Sequence, residues 1–260
     1  MTIAGSDNSA GAGAQADLKT MSALGVYGVT TITCVVAEVP GKVSAIQPIE
    51  PRIVAEQIRL LFKAFPIGAL KTGMLYSREI IETVCTALEA QPKVPIVVDP
   101  VMVATSGDPL LQRDAINLYR ERLIPLATLV TPNLDEVRTL LGRTITSREE
   151  MRQAGLELSA QYQRAFLIKG GHLNLDPAID LLCEPSGQVH EYSAPYVPGI
   201  ATHGTGCSYA AAITSGLAKG LPLPEAVGAA KQFLARAIQQ FLRWTINGRP
   251  TDALHHFAGL

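Results

Sequence analysis

Residues 203–219 read HGTGCSYAAAITSGLAK, a run of small residues that leads directly into a helical pattern. This pattern predicts a glycine-rich turn that opens a helix. The first backbone N–H groups of a helix have no partner inside it, and glycine lets a ligand approach the backbone closely. The turn is therefore a candidate phosphate site, and Cys207 lies at its mouth, where the helix dipole favours a thiolate. A tight turn packed with small side chains is the structural alternative.

Outward from this turn, strand and helix patterns alternate along almost the whole chain. Residues 29–37, 94–98 and 165–169 are rich in β-branched and other apolar residues, as expected for strands buried on both faces of a parallel sheet. An apolar stripe along residues 54–65 has helical spacing and predicts a helix packed on the core. The alternation predicts one α/β domain over residues 1–260, with a mostly parallel central sheet and helices on both faces.

The remaining patterns complete this prediction. Helices are predicted at residues 18–24, 54–65, 79–89, 110–126, 132–141, 206–219 and 225–241, with a further one after Ser147. Residues 180–184 and 188–192 flank the turn Pro185-Ser-Gly187 and predict a hairpin at an antiparallel edge. The tail, residues 245–260, shows no clear periodicity.

Composition excludes several classes of function. The chain has 260 residues and a formal net charge of -1, with acidic and basic residues interspersed, so we expect neither nucleic acid nor a membrane as a partner. The four cysteines are far apart and have no CxxC spacing, which argues against a zinc site or a disulfide framework. The first residues do not resemble a signal peptide and no apolar run is long enough to span a membrane, so we expect a cytoplasmic protein.

Polar residues follow nearly every predicted strand. Glu38, Asp99 and Lys169 come at or directly after strand ends, and Asn133 and Glu136 lie three apart at the start of a helix, on one of its faces. Each has an ordinary explanation by itself, such as a solvated or capping acid. Because ligands bind at the carboxyl ends of the strands in open α/β sheets, we expect these residues and both glycine-rich turns to meet in one site.

Seven motifs along the chain resemble one known family. They are GSDNSAGAGAQADLKT (5–20), ALKTGML (69–75), VVDPVMVATSGDPLL (97–111), VTPNLDE (130–136), IKGGH (168–172), HGTGCS (203–208) and ALHHF (253–257). In this order and spacing they are similar to the hydroxymethylpyrimidine and phosphomethylpyrimidine kinases of thiamin biosynthesis, within the ribokinase-like superfamily. The resemblance covers essentially the whole chain.

The resemblance implies a ribokinase-like three-layer sandwich and a function. Relatives move a phosphoryl group from ATP to 4-amino-5-hydroxymethyl-2-methylpyrimidine and then to its monophosphate, with Mg²⁺, and they are commonly dimers. It implies that Cys207, Lys169, Gly204 and Gly206 are catalytic, that Asn133, Lys169 and Thr205 bind ATP, and that Glu136 and Asp99 serve the metal. It implies a pyrimidine pocket lined by Gly5, Asp17, Val36, Glu38, Met74 and Val101.

The chain departs from the family pattern in the substrate half of the site. Relatives usually have GSDPSGGAG where this chain has GSDNSAGAG, and a glutamine where it has Glu38. A vitamin B6-type kinase, which phosphorylates a pyridine alcohol, is therefore one alternative. A nucleotide- or pyrimidine-binding regulator without catalysis is another, although Lys169, Glu136 and the HGTGC turn argue against it.

Overall fold

The computed structural model describes residues 1–102, 113–173, 177–198, 203–246 and 248–258, and within these ranges the chain is built around one nine-stranded sheet. The strands are β1 (Thr2–Asp7), β2 (Thr30–Val39), β3 (Lys42–Pro48), β4 (Leu70–Thr72), β5 (Ile96–Val98), β6 (Leu129–Val130), β7 (Ala165–Lys169), β8 (Ala178–Cys183) and β9 (Val189–Ala194). Their order is β3-β2-β1-β4-β5-β6-β7-β8-β9. Neighbours from β2 to β7 are parallel, and the pairs outside them are antiparallel. The mostly parallel sheet is confirmed.

Helices cover both faces of this sheet. They are α1 (Gly13–Ala23), α2 (Pro51–Ala64), α3 (Arg78–Glu89), α4 (Arg113–Leu118), α5 (Leu134–Leu141), α6 (Arg148–Tyr162), α7 (Thr205–Ala218) and α8 (Leu223–Gln239). One apolar cluster joins the sheet to α2 through α6 and a second joins it to α7 and α8, while α1 packs on α7. The ribokinase-like three-layer sandwich is confirmed. No helix in the described ranges is long and apolar enough to cross a membrane.

The central strands show why their sequences are apolar throughout. In β5, Val97 belongs to the cluster under α7 and α8, whereas Val98 belongs to the cluster on the other face, and both are fully buried. Successive side chains of a strand point to opposite faces, so a sheet covered twice needs apolar residues at every position.

The edge at β2 differs from the prediction. Residues 29–37 were expected to form a strand buried on both faces, but Val35 is 47% exposed and β2 continues to Val39 before the chain returns as β3. Because β3 is an exposed edge strand, it has no buried face that would give its sequence a period of two. Phe65, at the end of the predicted core stripe, is also exposed and stacks on Tyr27.

The three remaining predictions have different outcomes. The β8–β9 hairpin confirms the predicted antiparallel edge. The tail contains a second hairpin that its sequence did not indicate, β10 (Leu242–Ile246) paired with β11 (Arg249–Ala253). The predicted helix over residues 110–126 corresponds to α4, a π turn over Tyr119–Leu123 and a 3-10 turn over Ile124–Leu126. Its first residues and the segment VATSGDPLL lie outside the described residues.

Candidate active site

A cavity of about 410 Å³ opens at the carboxyl ends of the parallel strands. This is where open α/β sheets bind their ligands. Most of the residues singled out from the sequence line it, and these are Gly5, Val36, Glu38, Met74, Asp99, Val101, Asn133, Lys169, Gly204, Thr205, Gly206 and Cys207. The expected convergence of strand ends and glycine-rich turns is therefore present in the structure.

The two glycine-rich turns form one continuous wall of the cavity. Gly204, before α7, has a left-handed φ of 79°, and a Cβ added to it would lie 1.7 Å from the carbonyl oxygen of Gly11 in the first turn. Beside this contact, His203 Nε2 lies 3.1 Å from Asp7 Oδ2. The backbone N–H of Gly13 hydrogen-bonds to Cys207. The first turn thus fixes the position of the second.

A lysine–aspartate pair lies directly below the start of α7. Lys169 Nζ donates to Asp99 Oδ1 at 3.0 Å, and Thr131 donates to the same oxygen at 3.2 Å. A Cβ on Gly206 would lie 3.3 Å from Lys169 Nζ and 3.6 Å from Asp99 Oδ2, so the glycine permits this close approach. Burial opposes ionisation of Asp99, but the charges of Lys169 and Lys71 outweigh it and lower the pKa of the carboxyl. An ammonium group and the N–H groups of α7 therefore face the same space.

The structure favours a neutral thiol at Cys207, whereas the sequence predicted a thiolate. The helix dipole was expected to favour a thiolate, but burial raises the pKa of Cys207 to about 11, although the charge of Lys71 acts in the opposite direction. Desolvation penalises the charged form more than the helix terminus and the lysine favour it. Without a ligand, this residue is a thiol at neutral pH.

Asn133 and Glu136 form a capping box at the start of α5. Asn133 Oδ1 accepts from the N–H of Glu136 at 2.9 Å, and Glu136 Oε2 accepts from the N–H of Asn133 at 2.8 Å. Asn133 lines the cavity, whereas Glu136 is buried behind it and does not. Burial raises the pKa of Glu136 to about 8 in spite of the charge of Lys169. Glu136, implied as a metal residue, is thus placed as the support of Asn133, because the cap uses its carboxylate.

Asp99 is the acidic residue in this half of the cavity that fits a hard cation such as Mg²⁺. Its Oδ2 faces Gly206 at the cavity wall, and carboxylate and amide oxygens suit this ion.

Asp17 does not line the cavity, in contrast to its implied place in the pyrimidine pocket. Its carboxylate lies 3.0 Å from Lys71 Nζ through each oxygen and accepts from Thr2 Oγ1 at 2.6 Å. Asp17 and Lys71 are both 0% exposed. The reason is geometric: α1 packs on the sheet, and the face that carries Asp17 points at the middle of β4 and not at the strand ends.

The substrate half combines apolar walls with one acid. Glu38 lines this half, and burial together with the nearby charge of Asp7 raises the pKa of its carboxyl, which His203 opposes. The N–H of Glu38 donates to Asn8 Oδ1 at 2.7 Å. Asn8 and Glu38, two of the three departures from the family pattern (the third is Ala10), therefore contact each other.

Several residues that line the cavity were not predicted from the sequence as site residues. Asp7 accepts from the N–H groups of Ser9 and Ala12 at 2.6 and 2.8 Å, and these bonds with that of His203 outweigh burial and hold its pKa at about 2. An aspartate inside a glycine-rich turn is a signal for such bonds. At the other end, Lys231 Nζ donates to Asp180 Oδ2 at 2.6 Å. A lysine within the apolar face of α8 was the available signal there.

Comparison with known proteins shows the family of this chain. The phosphomethylpyrimidine kinase family model matches residues 7–252. The chain is 43% identical over 265 residues to a hydroxymethylpyrimidine/phosphomethylpyrimidine kinase of Rhizobium meliloti, covering 99% of this chain and 96% of the relative. It is 42% identical over 239 residues to the thiamine biosynthesis bifunctional protein ThiED of Geobacter sulfurreducens, covering 92% of this chain and 49% of that protein. This chain thus spans about half the length of the Geobacter relative.

Solved structures give the same result. Phosphomethylpyrimidine kinase from Clostridium difficile is similar with a TM-score of 0.80 and 39% identity, covering 91% of this chain and 97% of that one. The pyridoxal kinase of Bacillus subtilis in an ADP complex is similar with a TM-score of 0.87 and 33% identity, covering 99% and 96%. The chain is therefore a phosphotransferase and belongs to the phosphomethylpyrimidine kinase family.

Proposed function

We propose that this chain uses ATP to phosphorylate the hydroxymethyl group of 4-amino-5-hydroxymethyl-2-methylpyrimidine, and then the phosphate of the product. One observation carries the proposal, namely that a single cavity contains both parts of the site. The N-terminus of α7 and the Lys169–Asp99 pair line one part, and Glu38 with apolar residues lines the other. The names of the relatives in thiamine biosynthesis support the same substrate.

The phosphate half supplies charge and position. Phosphoryl transfer requires little covalent chemistry from the protein, so catalysis depends on alignment and on stabilising charge at the transferring group. The N–H groups of residues 204–207 form an anion hole, and Lys169 neutralises the phosphoryl oxygens. Gly204 and Gly206 allow the close approach, while Thr205 and Asn133 contact ATP at the same edge.

Cys207 lies where the hydroxyl of the substrate meets the anion hole. A neutral thiol is too weak a base to take the proton of a hydroxyl, so only the thiolate could act as a base. With a pKa of about 11 in the free protein, the thiolate fraction rises with pH throughout the neutral range. We therefore place Cys207 in the anion hole, with proton acceptance limited to its ionised form.

Mg²⁺ belongs to the same proposal. Asp99 would contact the ion through Oδ2, and Asn133 would contact it from the other strand end, held in place by Glu136. The ion, when bound, would neutralise charge on the phosphates of ATP. Replacing Glu136 with Gln weakens the support of Asn133 and should raise the Mg²⁺ concentration that activity requires.

The heterocycle would lie against Gly5, Val36, Met74 and Val101, with Glu38 at its polar edge. A carboxylate accepts hydrogen bonds but cannot donate one, so a neutral aminopyrimidine would leave a ring nitrogen facing a negative charge. Protonation of Glu38 or of the ring removes this conflict.

The test is a coupled ATP-consumption assay with the aminopyrimidine alcohol, its monophosphate and pyridoxal as separate substrates. We expect turnover of the alcohol and of the monophosphate, and a large fall of both in Lys169→Met, which excludes a contaminating kinase as the source. Turnover of none of the three, in a folded protein, contradicts the proposal.

A pyridoxal-type kinase is the second candidate, because of Glu38 and the similarity to the Bacillus pyridoxal kinase. Preferential turnover of pyridoxal in the same assay favours it. Inactivity of the wild type on the aminopyrimidine alcohol, together with activity of Glu38→Gln, indicates a different heterocycle.

A further inference from the structure

We propose that His256, in the segment after β11, is a positioning residue for phosphoryl transfer, because it holds Ser208 and with it the first turn of α7. The inference rests on the phosphotransferase activity, and it concerns two residues to which neither the family resemblance nor the catalytic proposal assigns a role. It assigns a role to the C-terminal motif ALHHF (253–257), which lies outside the cavity.

The contact between these two residues is short and sealed from water. Ser208 Oγ and His256 Nε2 are 2.9 Å apart, and the two residues are 0% and 5% exposed. Ser208 directly follows Cys207, and its N–H donates to the carbonyl oxygen of Gly204 at 2.9 Å, which closes the first turn of the helix. A shift of Ser208 therefore moves both Gly204 and Cys207.

The direction of this hydrogen bond follows from the other side of the imidazole ring. His256 also hydrogen-bonds to the backbone of Leu254, where the available group is a carbonyl, so Nδ1 carries the proton. Nε2 is then an acceptor and Ser208 is the donor. Burial, with the charge of Lys19, lowers the pKa of His256 to about 4, so the ring stays neutral and keeps this role at physiological pH.

The segment that carries His256 is itself anchored. Leu254 is buried in the cluster under α7 and α8, and the N–H of His255 donates to the carbonyl oxygen of Ala237 in α8 at 3.2 Å. Lys19, whose charge acts on His256, donates to the carbonyl oxygen of Ala10 in the first glycine-rich turn at 2.8 Å. The segment is thus fixed to α8 and lies beside both turns of the cavity wall.

A packing role and a positioning role predict different kinetics. If His256 only fills space, an apolar substitute lowers stability and leaves the turnover of the folded fraction unchanged. If it positions the anion hole, the loss appears in kcat, since small displacements of groups that act on the transition state have large effects on rate. An acceptor at the place of Nε2 should then restore the rate.

The experiment compares Ser208→Ala, His256→Leu and His256→Gln with the wild type, and uses Phe257→Ala as the control because Phe257 is the exposed next residue. We expect His256→Leu and Ser208→Ala to lower kcat by about 10-fold or more, with the KM for ATP within about 3-fold. His256→Gln, whose side-chain amide provides an acceptor, should recover most of the rate. The double variant of Ser208→Ala and His256→Leu should be no slower than the slower single variant.

A second readout does not depend on the substrate. Cys207 is partly exposed, whereas Cys34, Cys85 and Cys183 are buried, so alkylation by iodoacetamide reports on the first turn of α7. We expect faster alkylation of Cys207 in His256→Leu and Ser208→Ala, and the wild-type rate in Phe257→Ala. An inactive wild type with this alkylation pattern contradicts the proposed substrate and supports the inference.

Unchanged kcat and alkylation in Ser208→Ala overturn the inference, even where His256→Leu fails to fold. A lowered melting temperature of His256→Leu with wild-type kcat assigns His256 to packing and overturns it as well.

Discussion

Among the buried lysine–aspartate pairs of the described residues, two differ clearly in their surroundings. Lys71–Asp17 and Lys169–Asp99 have the same N–O distance of 3.0 Å. The side chains of the first pair are both 0% exposed, whereas those of the second are 15% and 3% exposed and line the cavity. Lys71 lies in the middle of β4 and Lys169 is the last residue of β7, so position along a strand separates a pair sealed in the core from a pair that faces the cavity.

The two pairs are also electrostatically connected. The charge of Lys71 helps to lower the pKa of Asp99, and at Cys207 it opposes the rise in pKa that burial causes. Lys71 has these effects although it does not line the cavity. Burial alone would lower the pKa of Lys71, but Asp17 raises it above its ordinary value. The pair therefore keeps Lys71 charged, while Asp17 carries the opposite charge and acts to raise the pKa of Cys207.

The largest expected effect comes from breaking the sealed pair. Asp17→Asn leaves Lys71 buried without a counter-charge, and removing one partner of a buried pair lowers the free energy of unfolding by about 3–5 kcal/mol. Chemical denaturation measures this. Glu56→Gln, which breaks the exposed pair with Arg59, is the control and should leave stability close to wild type. A loss in Asp17→Asn as small as that of the control contradicts the assigned role.

A smaller effect is expected at Cys207, which lies between the two pairs. Cys207→Ala should lower kcat by about 10-fold or more, without loss of fold. If the thiolate accepts the proton, the wild-type rate rises with pH from 7 to 9, because the thiolate fraction increases toward the pKa of about 11. The alanine variant then loses this slope, and Cys207→Ser does too, since a hydroxyl does not ionise there. A flat wild-type profile with an active serine variant limits Cys207 to the anion hole.

The smallest expected effect concerns Glu38. Its neighbour is another carboxylate, that of Asp7, whereas the aspartate of each pair above has a lysine as its neighbour. Burial and Asp7 raise the pKa of Glu38, so its protonated form gains population as pH falls. The protonated acid can donate to a ring nitrogen, and the apparent affinity for the aminopyrimidine should therefore strengthen from pH 8 towards pH 6, by about 3- to 10-fold. Glu38→Gln should bind more tightly at pH 8 and flatten this response. Titration calorimetry at both pH values measures the affinity. A wild-type affinity that weakens as pH falls contradicts the predicted role of protonated Glu38.

The central sheet was predictable because it is buried on both faces. The β5 strand consists of apolar residues, and so does β7 up to its last residue, Lys169, as a strand covered on both faces requires. The β7 strand also begins and ends where its sequence indicates. The edge strand β3 and the β10–β11 hairpin were not predictable, since they have little buried surface and so no hydrophobic period.

The site was predictable at the level of which strand ends meet. The spacing of Asn133 and Glu136 predicted that they lie together. A capping box and a pair of metal ligands share that spacing, so only the structure shows that Glu136 caps the helix while Asn133 lines the cavity. Asp17 was ambiguous for a similar reason, because its partner Lys71 is distant in sequence. A lysine inside the apolar strand ALKTG was the signal that such a partner existed.

The central claim is that the cavity-facing pair acts on the transferring phosphoryl group while the sealed pair holds the fold. The most direct test is the kcat of Lys169→Met in the ATP-consumption assay, with the free energy of unfolding measured on the same sample. We expect the kcat of Lys169→Met to fall by about 10²- to 10³-fold in a protein that remains folded. A folded Lys169→Met enzyme that keeps its kcat within about 10-fold of the wild type would contradict it.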